Sequence, residues 1–433
     1  MKYEFGYGKT TQTVEIPENN IIDVLTANEL RHEMSAEEAV AYALEHQIWG
    51  TEESALFADG EKRNGRLSDI NLSDKSIAII VSDISRPVPS YVFMPLLLDE
   101  LYAAGAKPSQ ITVVFALGSH RKHTEEEQRK LIGDRCYEEV RCVDNDTDDC
   151  VHLGTTSRGT PVDVTRAVAE ADIRIATGNI EFHYFAGYSG GYKALMPGCS
   201  TPAAIQVNHK MMVLPEACAG RIEGNPLRED IEEAGRICRI DFILNVVLDE
   251  HKNIVYAVSG DPIAAHRDGC RYLNRMYTKP IAAQADIVIA SQGGAPKDAN
   301  LYQTHKAIEN AKYAVKDGGT IIVIGACNEG IGSATFEQWF AEATTSRDLI
   351  ERLKKEFVLG GHKAAAIANI MEKADIILVS EMDDEKAEMC FMKPAASLQE
   401  AFDAAYAQQK ADLNAEPTVI LMPFAGATLP RYE

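Results

Sequence analysis

Residues 76–118 of this 433-residue chain read SIAIIVSDISRPVPSYVFMPLLLDELYAAGAKPSQITVVFALG. Two apolar runs, 76–83 and 111–118, enclose a segment at 92–106 in which apolar residues recur at helical spacing. Short continuous apolar runs are typical of strands buried on both faces of a parallel sheet. The stretch therefore predicts a strand–helix–strand unit of an α/β fold.

Six further runs repeat this pattern, and they are IRIATG (173–178), FILNVVLD (242–249), DIVIAS (286–291), TIIVIGA (320–326), DIILVS (375–380) and TVILMP (418–423). We predict an α/β protein with two lobes of mainly parallel sheets flanked by helices. The lobe boundary is predicted near 270–285, where a helical stretch ends at Pro280 and a new strand series begins at Asp286. The N-terminal lobe then covers 1–275, completed by about 400–433, and the smaller C-terminal lobe covers 280–398.

The chain is acidic, with 65 Asp and Glu residues against 43 Lys and Arg residues and a formal net charge of −22. This charge disfavours nucleic acids and anionic membranes as partners. The nine cysteines are odd in number and form no C-x-x-C pair, which argues against a disulfide framework. No apolar run approaches the ~18 residues of a membrane span. We expect a reduced, soluble, cytoplasmic protein.

Ligands of open α/β sheets bind beyond the carboxyl ends of the strands, so the residues after each run are the candidates for a site. The first run ends in Ser82 and Asp83, and Arg86 follows in a loop stiffened by two prolines. Asp83 and Arg86 form either a surface ion pair or a site in which Arg86 binds a carboxylate or phosphate and Asp83 binds hydroxyl groups.

The second run leads into a loop with two histidines, His120 and His123, before a predicted helix N-cap at Thr124. A lone loop histidine is most often solvated, and we interpret His123 in that way. His120 lies closer to the end of the strand, so it is a candidate for proton transfer near neutral pH.

The densest segment is GNIEFHYFAGYSGGYKALMPG (178–198), which contains His183 and Lys193. Its glycines, including Gly190 and Gly191, would allow backbone N–H groups to approach an anion. The segment is not a Walker A motif, because Tyr192 stands where that motif requires glycine before the lysine. Lys193 is therefore interpreted as a phosphate clamp or as a nucleophilic amine for covalent attachment.

Two more groups complete the candidates. His209 follows in V-N-H-K, and with His120 and His183 it makes three imidazoles suited to a transition metal, to proton transfer, or to both. In the second lobe, Pro296 and Asp298 predict the start of a helix that places Gln303 and Lys306 on one face.

Together, these motifs resemble the nickel-dependent lactate racemase family. The matches are S-D-x-x-R-P, G-S-H-R, the long glycine–lysine segment, the following N-H and G-G-x-P-x-D-x-x-L-Y-Q-x-x-K-A, in the same order over about residues 82–307. The resemblance implies an active site in the cleft between two α/β lobes. It also implies a nickel-pincer nucleotide, the nickel complex of pyridinium-3-thioamide-5-thiocarboxylic acid mononucleotide, and hence cofactor-synthesis proteins as partners.

The resemblance also implies roles for individual residues. Lys193 would hold the cofactor covalently through a thioamide, and His209 would complete the nickel coordination. His120 and His183 would act as the acid/base pair on the two faces of a small 2-hydroxy acid. The remaining matches imply substrate contacts from Arg86, Gln303 and Lys306, and cofactor or substrate contacts from Ser82, Asp83, Gly190 and Gly191.

The leading hypothesis is a racemase that interconverts D- and L-lactate by hydride transfer to and from this cofactor. The nearest alternative has the same cofactor and reaction centre but acts on malate, a longer hydroxy acid or a sugar acid. The motifs leave this alternative open because they do not specify the pocket for the substrate's side chain. Trp339 lies in a helical setting and is expected in the core. Two alternatives from other functional classes remain open: a non-catalytic nucleotide-binding protein and a metallohydrolase built on three histidines.

Overall fold

A computed structural model describes residues 1–26, 28, 34–50, 65–86, 88–118, 120–249, 251–358 and 360–432. Pro87 and Ser119 of the predicted motifs lie outside these ranges. In chain order the strands are β1 (Lys2–Tyr7), β2 (Thr10–Glu15), β3 (Ile21–Val24), β4 (Ile77–Ser82), β5 (Ile111–Ala116), β6 (Arg141–Asp144), β7 (Cys150–Thr155), β8 (Pro161–Thr165), β9 (Ile173–Ile180), β10 (Phe182–His183), β11 (Gly187–Tyr188), β12 (Phe242–Leu248), β13 (Ile254–Gly260), β14 (Thr278–Ile281), β15 (Ala285–Ser291), β16 (Val315–Ile324), β17 (Asp375–Val379), β18 (Lys393–Ala395), β19 (Val419–Met422) and β20 (Leu429–Tyr432).

The α-helices alternate with these strands. They are α1 (Ala36–Glu45), α2 (Ser90–Ala103), α3 (Glu125–Ile132), α4 (Asp134–Glu139), α5 (Arg166–Ala169), α6 (Pro202–His209), α7 (Pro226–Cys238), α8 (Ala264–Tyr277), α9 (Leu301–Ala311), α10 (Ala334–Glu342), α11 (Ser346–Lys355), α12 (Gly361–Met371), α13 (Asp384–Met389) and α14 (Leu398–Leu413). Among the described helices, none is both long enough and apolar enough to cross a bilayer. All eight predicted strands are confirmed, as is the α/β class.

The chain forms two compact units. One comprises Leu30–Asn274, and the other combines Met1–Glu29 with Arg275–Glu433. We refer to them as the central unit and the terminal unit.

The central unit is built on a six-stranded sheet in the order β13-β12-β9-β4-β5-β6, parallel except for β13. The chain leaves β4 for β5 on one side and later returns to β9 on the other. At such a switch point the connecting loops diverge and open a crevice at the carboxyl edge of the sheet. Helix α2 packs an apolar face, including Phe93, Leu97 and Leu101, into the core beneath this sheet.

The terminal unit contains a second six-stranded sheet, in the order β18-β17-β16-β15-β19-β3, with every pair parallel. The predicted completion of the N-terminal lobe by about 400–433 is wrong, because β19 is fully buried and pairs with β15. The predicted start of that lobe at residue 1 is also wrong, because β3 forms the other neighbour of β19. A strand buried on both faces needs two paired neighbours, and these come from opposite ends of the chain.

Candidate active site

A cavity opens at the switch point of the central sheet. Its empty space is about 680 Å³, a figure that includes open solvent at its mouth. Its lining comes from the carboxyl ends of three neighbouring strands and from the glycine–lysine segment. The predicted site residues in this lining are Ser82, Asp83, Arg86, His120, His183, Gly190 and Lys193.

Asp83 and His120 form a short carboxylate–imidazole pair. Asp83 is buried, and its Oδ2 lies 2.7 Å from Nδ1 of His120. Burial alone would raise the pKa of Asp83, but the hydrogen bonds from His120 and Ser85 outweigh it and lower the pKa below its usual value. An ionised carboxylate at Nδ1 keeps the hydrogen on that nitrogen, which leaves Nε2 of neutral His120 as a base.

The loop that carries this pair is fixed by His123. The His123 side chain is buried and donates from Nδ1 to Asp144 at 2.7 Å, while its Nε2 accepts the Ile84 N–H at 3.0 Å. The interpretation of His123 as a solvated residue is therefore wrong. The predicted N-cap is confirmed, since the Thr124 side chain accepts the Glu127 N–H at the start of α3.

Lys193 lies in the cavity wall beside an aromatic ring and is only partly exposed. Its Nζ is 5.8 Å from the centre of the Phe185 ring. Burial, followed by the positive charges of Arg86 and Arg228, lowers the pKa of the Lys193 amine well below its ordinary value. An amine with a lowered pKa is unprotonated in a larger fraction of molecules, which favours Lys193 as a nucleophile.

Two histidines contact the Phe185 ring that lies beside Lys193. The ring packs edge-to-face against His183 and His209, with centroid distances of 4.4 and 5.0 Å. The Ala186 N–H donates to Nδ1 of His183 at 3.3 Å. The structure thus groups Lys193, His183 and His209 around the Phe185 ring, and Lys193 and His183 line the cavity.

Comparison with known proteins identifies the family of the chain. The chain matches the lactate racemase N-terminal domain over residues 7–220 and the lactate racemase C-terminal domain over residues 281–423. It is 34% identical to a lactate racemase of Thermoanaerobacterium thermosaccharolyticum, covering 93% of each chain, and 31% identical to that of Lactiplantibacillus plantarum, covering 94% of this chain and 95% of the relative.

The chain belongs to the lactate racemase family. The apoprotein structure of the lactate racemase from T. thermosaccharolyticum covers all of this chain and is itself fully covered, with a TM-score of 0.85 and 32% identity. A protein from Thermotoga maritima shares the fold alone, with a TM-score of 0.57 and 20% identity over 85% of this chain and 96% of that one. The predicted enzyme class is confirmed: the protein is an isomerase of the racemase type.

In the racemase, the backbone N–H of Gly191 has a different partner from the predicted anion. The Gly191 N–H donates to Oδ1 of Asn245 at 2.7 Å, so an internal amide, rather than an anion, is its acceptor. Gly190 has φ +74°, and a Cβ there would lie 2.8 Å from Asn245 Oδ1 and 2.9 Å from Ile180 Cγ1. Glycine is required at position 190 by backbone conformation and by close packing against β9 and β12.

Behind this loop the racemase buries an ion cluster that sequence reasoning missed. Arg228 is fully buried, donates from Nε to Glu232 at 2.8 Å and from Nη1 to the Tyr188 carbonyl at 3.2 Å. Arg267 binds the same carboxylate. The available signal was the i, i+4 spacing of Arg228 and Glu232 on one helix, which is ordinarily assigned to a solvated face. Here it fixes a cation under the glycine–lysine segment.

Gln303 and Lys306 lie in the terminal unit, one turn apart and exposed on α9, so the predicted shared face is confirmed. The predicted helix start at Pro296 and Asp298 is wrong. Asn300 caps α9, since its side chain accepts the Gln303 N–H. Trp339 is 1% exposed, as expected of a core residue.

No group of three or more His, Cys, Asp or Glu side chains is arranged to hold a metal ion among the residues that the structure describes. The metallohydrolase hypothesis requires such a group, so the racemase geometry does not favour it. All nine cysteines are free thiols, which agrees with the predicted absence of a disulfide framework.

Proposed function

We propose that this racemase interconverts D- and L-lactate with a nickel-pincer nucleotide attached covalently to Lys193. The observation that carries the proposal is the combination in one cavity of a carboxylate-held histidine, a second histidine and a lysine whose amine is partly desolvated. A protein that only bound nucleotide phosphate would not need the Asp83–His120 pair. The family relatives named lactate racemase support lactate as the substrate.

The residues present fit the proposed cofactor. Lys193 offers an amine of lowered pKa at the wall of the cavity. His209 offers one imidazole near the same wall, through its contact with Phe185. A nickel ion that receives its sulfur and carbon ligands from the nucleotide needs only one protein ligand, and imidazole suits nickel.

The reaction requires removal of hydrogen from an unactivated carbon, and no side chain in the cavity is basic enough for that step. When bound, the cofactor supplies a hydride acceptor. The protein supplies proton transfer: Nε2 of His120 takes the hydroxyl proton while Asp83 holds Nδ1 and stabilises the imidazolium. His183 is proposed to serve the opposite face, so that the two histidines return the proton from either side.

The carboxylate of the substrate needs cationic partners in a protein of net charge −22. Arg86 lines the cavity with an exposed guanidinium, and its Nε lies 3.8 Å from Asp83 Oδ1, too far for a strong hydrogen bond. We propose Arg86 as a carboxylate contact, because its planar fork can bind a carboxylate with two parallel hydrogen bonds. Gln303 and Lys306 are proposed as further contacts from the terminal unit, and Ser82 as a polar contact at the end of β4.

A chiral assay tests the proposal. Protein produced together with cofactor-synthesis proteins is incubated with pure L-lactate or pure D-lactate, and the opposite enantiomer is quantified over time. We expect both reactions to reach the same equimolar mixture. Turnover of malate, a longer 2-hydroxy acid or a sugar acid without turnover of lactate would move the assignment to that substrate, and no turnover of any 2-hydroxy acid by cofactor-loaded protein would contradict it.

A further inference from the structure

A buried chain of hydrogen bonds leads from Asp230 through Asn208 to His209, the proposed nickel ligand. Asn208 and His209 end α6, and Asp230 lies on α7. Asn208 and Asp230 are fully buried, and His209 is 7% exposed. Nδ1 of His209 lies 3.0 Å from Oδ1 of Asn208, and Nδ2 of Asn208 lies 2.7 Å from Oδ2 of Asp230.

The orientation of the Asn208 amide follows from its neighbours. Its Nδ2 meets two groups that only accept, the Asp230 carboxylate and the Leu227 carbonyl at 3.3 Å. A flipped amide would place its oxygen against both acceptors, so Nδ2 faces them and Oδ1 faces His209. An amide oxygen accepts but cannot donate. The hydrogen of neutral His209 is therefore on Nδ1, and the lone pair is on Nε2.

Asp230, which orients the Asn208 amide, is itself held in place by hydrogen bonds. Two hydroxyls of the turn between β7 and β8 donate to it, Thr156 to Oδ1 at 2.5 Å and Thr160 to Oδ2 at 2.7 Å. Within the described residues, the carboxylate accepts hydrogen bonds from these hydroxyls and from the Asn208 amide, and none of these donors carries positive charge. A buried carboxylate with neutral donors polarises those donors strongly.

We infer that Asn208 and Asp230 are positioning residues that fix the tautomer of His209, so that Nε2 is the nitrogen presented to nickel and its basicity is increased by the buried carboxylate. This inference rests on the proposed role of His209 as the nickel ligand. It extends that role to an outer layer of hydrogen bonds, of the kind that sets the orientation and donor strength of metal-binding histidines. Here the Asn208 amide links the Asp230 carboxylate to the His209 imidazole by two hydrogen bonds.

The tautomer can be measured in full-length protein without cofactor. A two-bond proton–nitrogen correlation spectrum of 15N-histidine-labelled protein distinguishes protonated from unprotonated ring nitrogens, and the signals of His209 are identified by their loss in His209→Gln. We expect the hydrogen on Nδ1. A wild-type spectrum with the hydrogen on Nε2 would overturn the inference without any further variant.

Two variants then separate an effect on the tautomer of His209 from a general loss of protein stability. Asn208→Leu removes the acceptor, and we expect a mixture of tautomers in the cofactor-free protein. Thr160→Val removes one donor to Asp230 but leaves Asn208 in place, so it serves as the matched control and should keep the wild-type tautomer at a comparable loss of melting temperature. If both variants keep the tautomer, or both lose it, the inference is wrong.

Nickel content gives a second readout besides activity. In cofactor-loaded protein we expect Asn208→Leu to weaken nickel retention by about 10–100-fold, the usual cost of losing an outer hydrogen bond at a metal site, while the mass adduct at Lys193 persists. Retention equal to wild type would contradict the inference. Absence of both adduct and nickel from wild-type protein would instead contradict the proposed function, and the tautomer measurement on cofactor-free protein would still stand.

Discussion

The two sheets have equivalent switch points but use them in opposite ways. In the central unit, the crevice between β4 and β9 is the cavity lined by His120, His183 and Lys193. In the terminal unit, the corresponding place, between β15 and β19, is occupied by the hairpin β1–β2. Ser291 Oγ donates to the Gly6 carbonyl at 2.7 Å, and the Gly8 N–H donates to Asp298 Oδ2 at 2.7 Å.

The difference lies in what the polar groups at the strand ends bind. In the terminal sheet, Ser291 and Asp298 bind the hairpin backbone, which gives them a structural role. At the edge of the central sheet, Asp83 holds Nδ1 of His120, and Nε2 is the ring nitrogen proposed for chemistry. A parallel sheet thus provides the position for a site, and the loops decide whether that position is filled.

Among the changes that test this difference between the two sheets, His120→Ala should have the largest effect, on the racemisation rate. Loss of the proposed base should lower the racemisation rate of cofactor-loaded protein by about 10²–10⁴-fold, with the adduct at Lys193 unchanged. His152→Ala, at an exposed histidine that is also paired with an aspartate, is the control and should leave the rate unchanged. An undiminished rate in His120→Ala would show that the open crevice is not the reaction centre.

Asp83→Asn should have a smaller effect on the same rate. The amide keeps the shape of the side chain but no longer stabilises the imidazolium of His120, so we expect a loss between that of His120→Ala and none. Comparison of kcat in both directions for wild type, Asp83→Asn and His120→Ala checks the order of the three rates, and a wild-type rate in Asp83→Asn would contradict the role of the carboxylate.

Gly6→Ala tests the switch point of the terminal sheet, which the hairpin β1–β2 occupies. The new Cβ would lie 2.7 Å from the carbonyl carbon of Gly293 and 2.8 Å from its oxygen, so overpacking should lower the free energy of unfolding by about 1–3 kcal/mol. Thr11→Ala, at an exposed position of the same hairpin, should change it by less than about 0.5 kcal/mol. Chemical denaturation checks both values, and equal stability of the two variants would contradict the close packing of hairpin and sheet.

The smallest expected effect concerns the electrostatics of the cavity. The pKa of Lys193 is lowered by burial and then by the charge of Arg86. In Arg86→Gln the protonated amine is less disfavoured, so the pH midpoint for acylation of Lys193 in cofactor-free protein should move upward. Arg121→Gln, at an exposed arginine paired with Glu127, should leave it in place. Peptide mass mapping after brief labelling at several pH values checks the direction, and a downward shift would be contrary to the account.

The strands and their order along the chain could be predicted from sequence because each is a short apolar run that buries both faces. The candidate residues after β4, β5 and β9 could be predicted for the same reason. The burial of His123 could not, because its partner Asp144 lies 21 residues away. Nor could the role of Asp298, whose partner Gly8 lies 290 residues away. Contacts between distant segments decide whether a polar residue is structural or chemical, and local patterns do not record them.

Lys193 is the proposed point of covalent cofactor attachment, and intact-mass spectrometry tests this attachment most directly. The full-length protein is produced together with cofactor-synthesis proteins, and its mass is compared with that of Lys193→Ala and of Lys306→Ala, an exposed lysine in the terminal unit. We predict an added mass equal to the nucleotide in wild type and in Lys306→Ala, and none in Lys193→Ala. An unmodified wild-type protein that racemises lactate at full rate, or an adduct that persists in Lys193→Ala, would contradict the account.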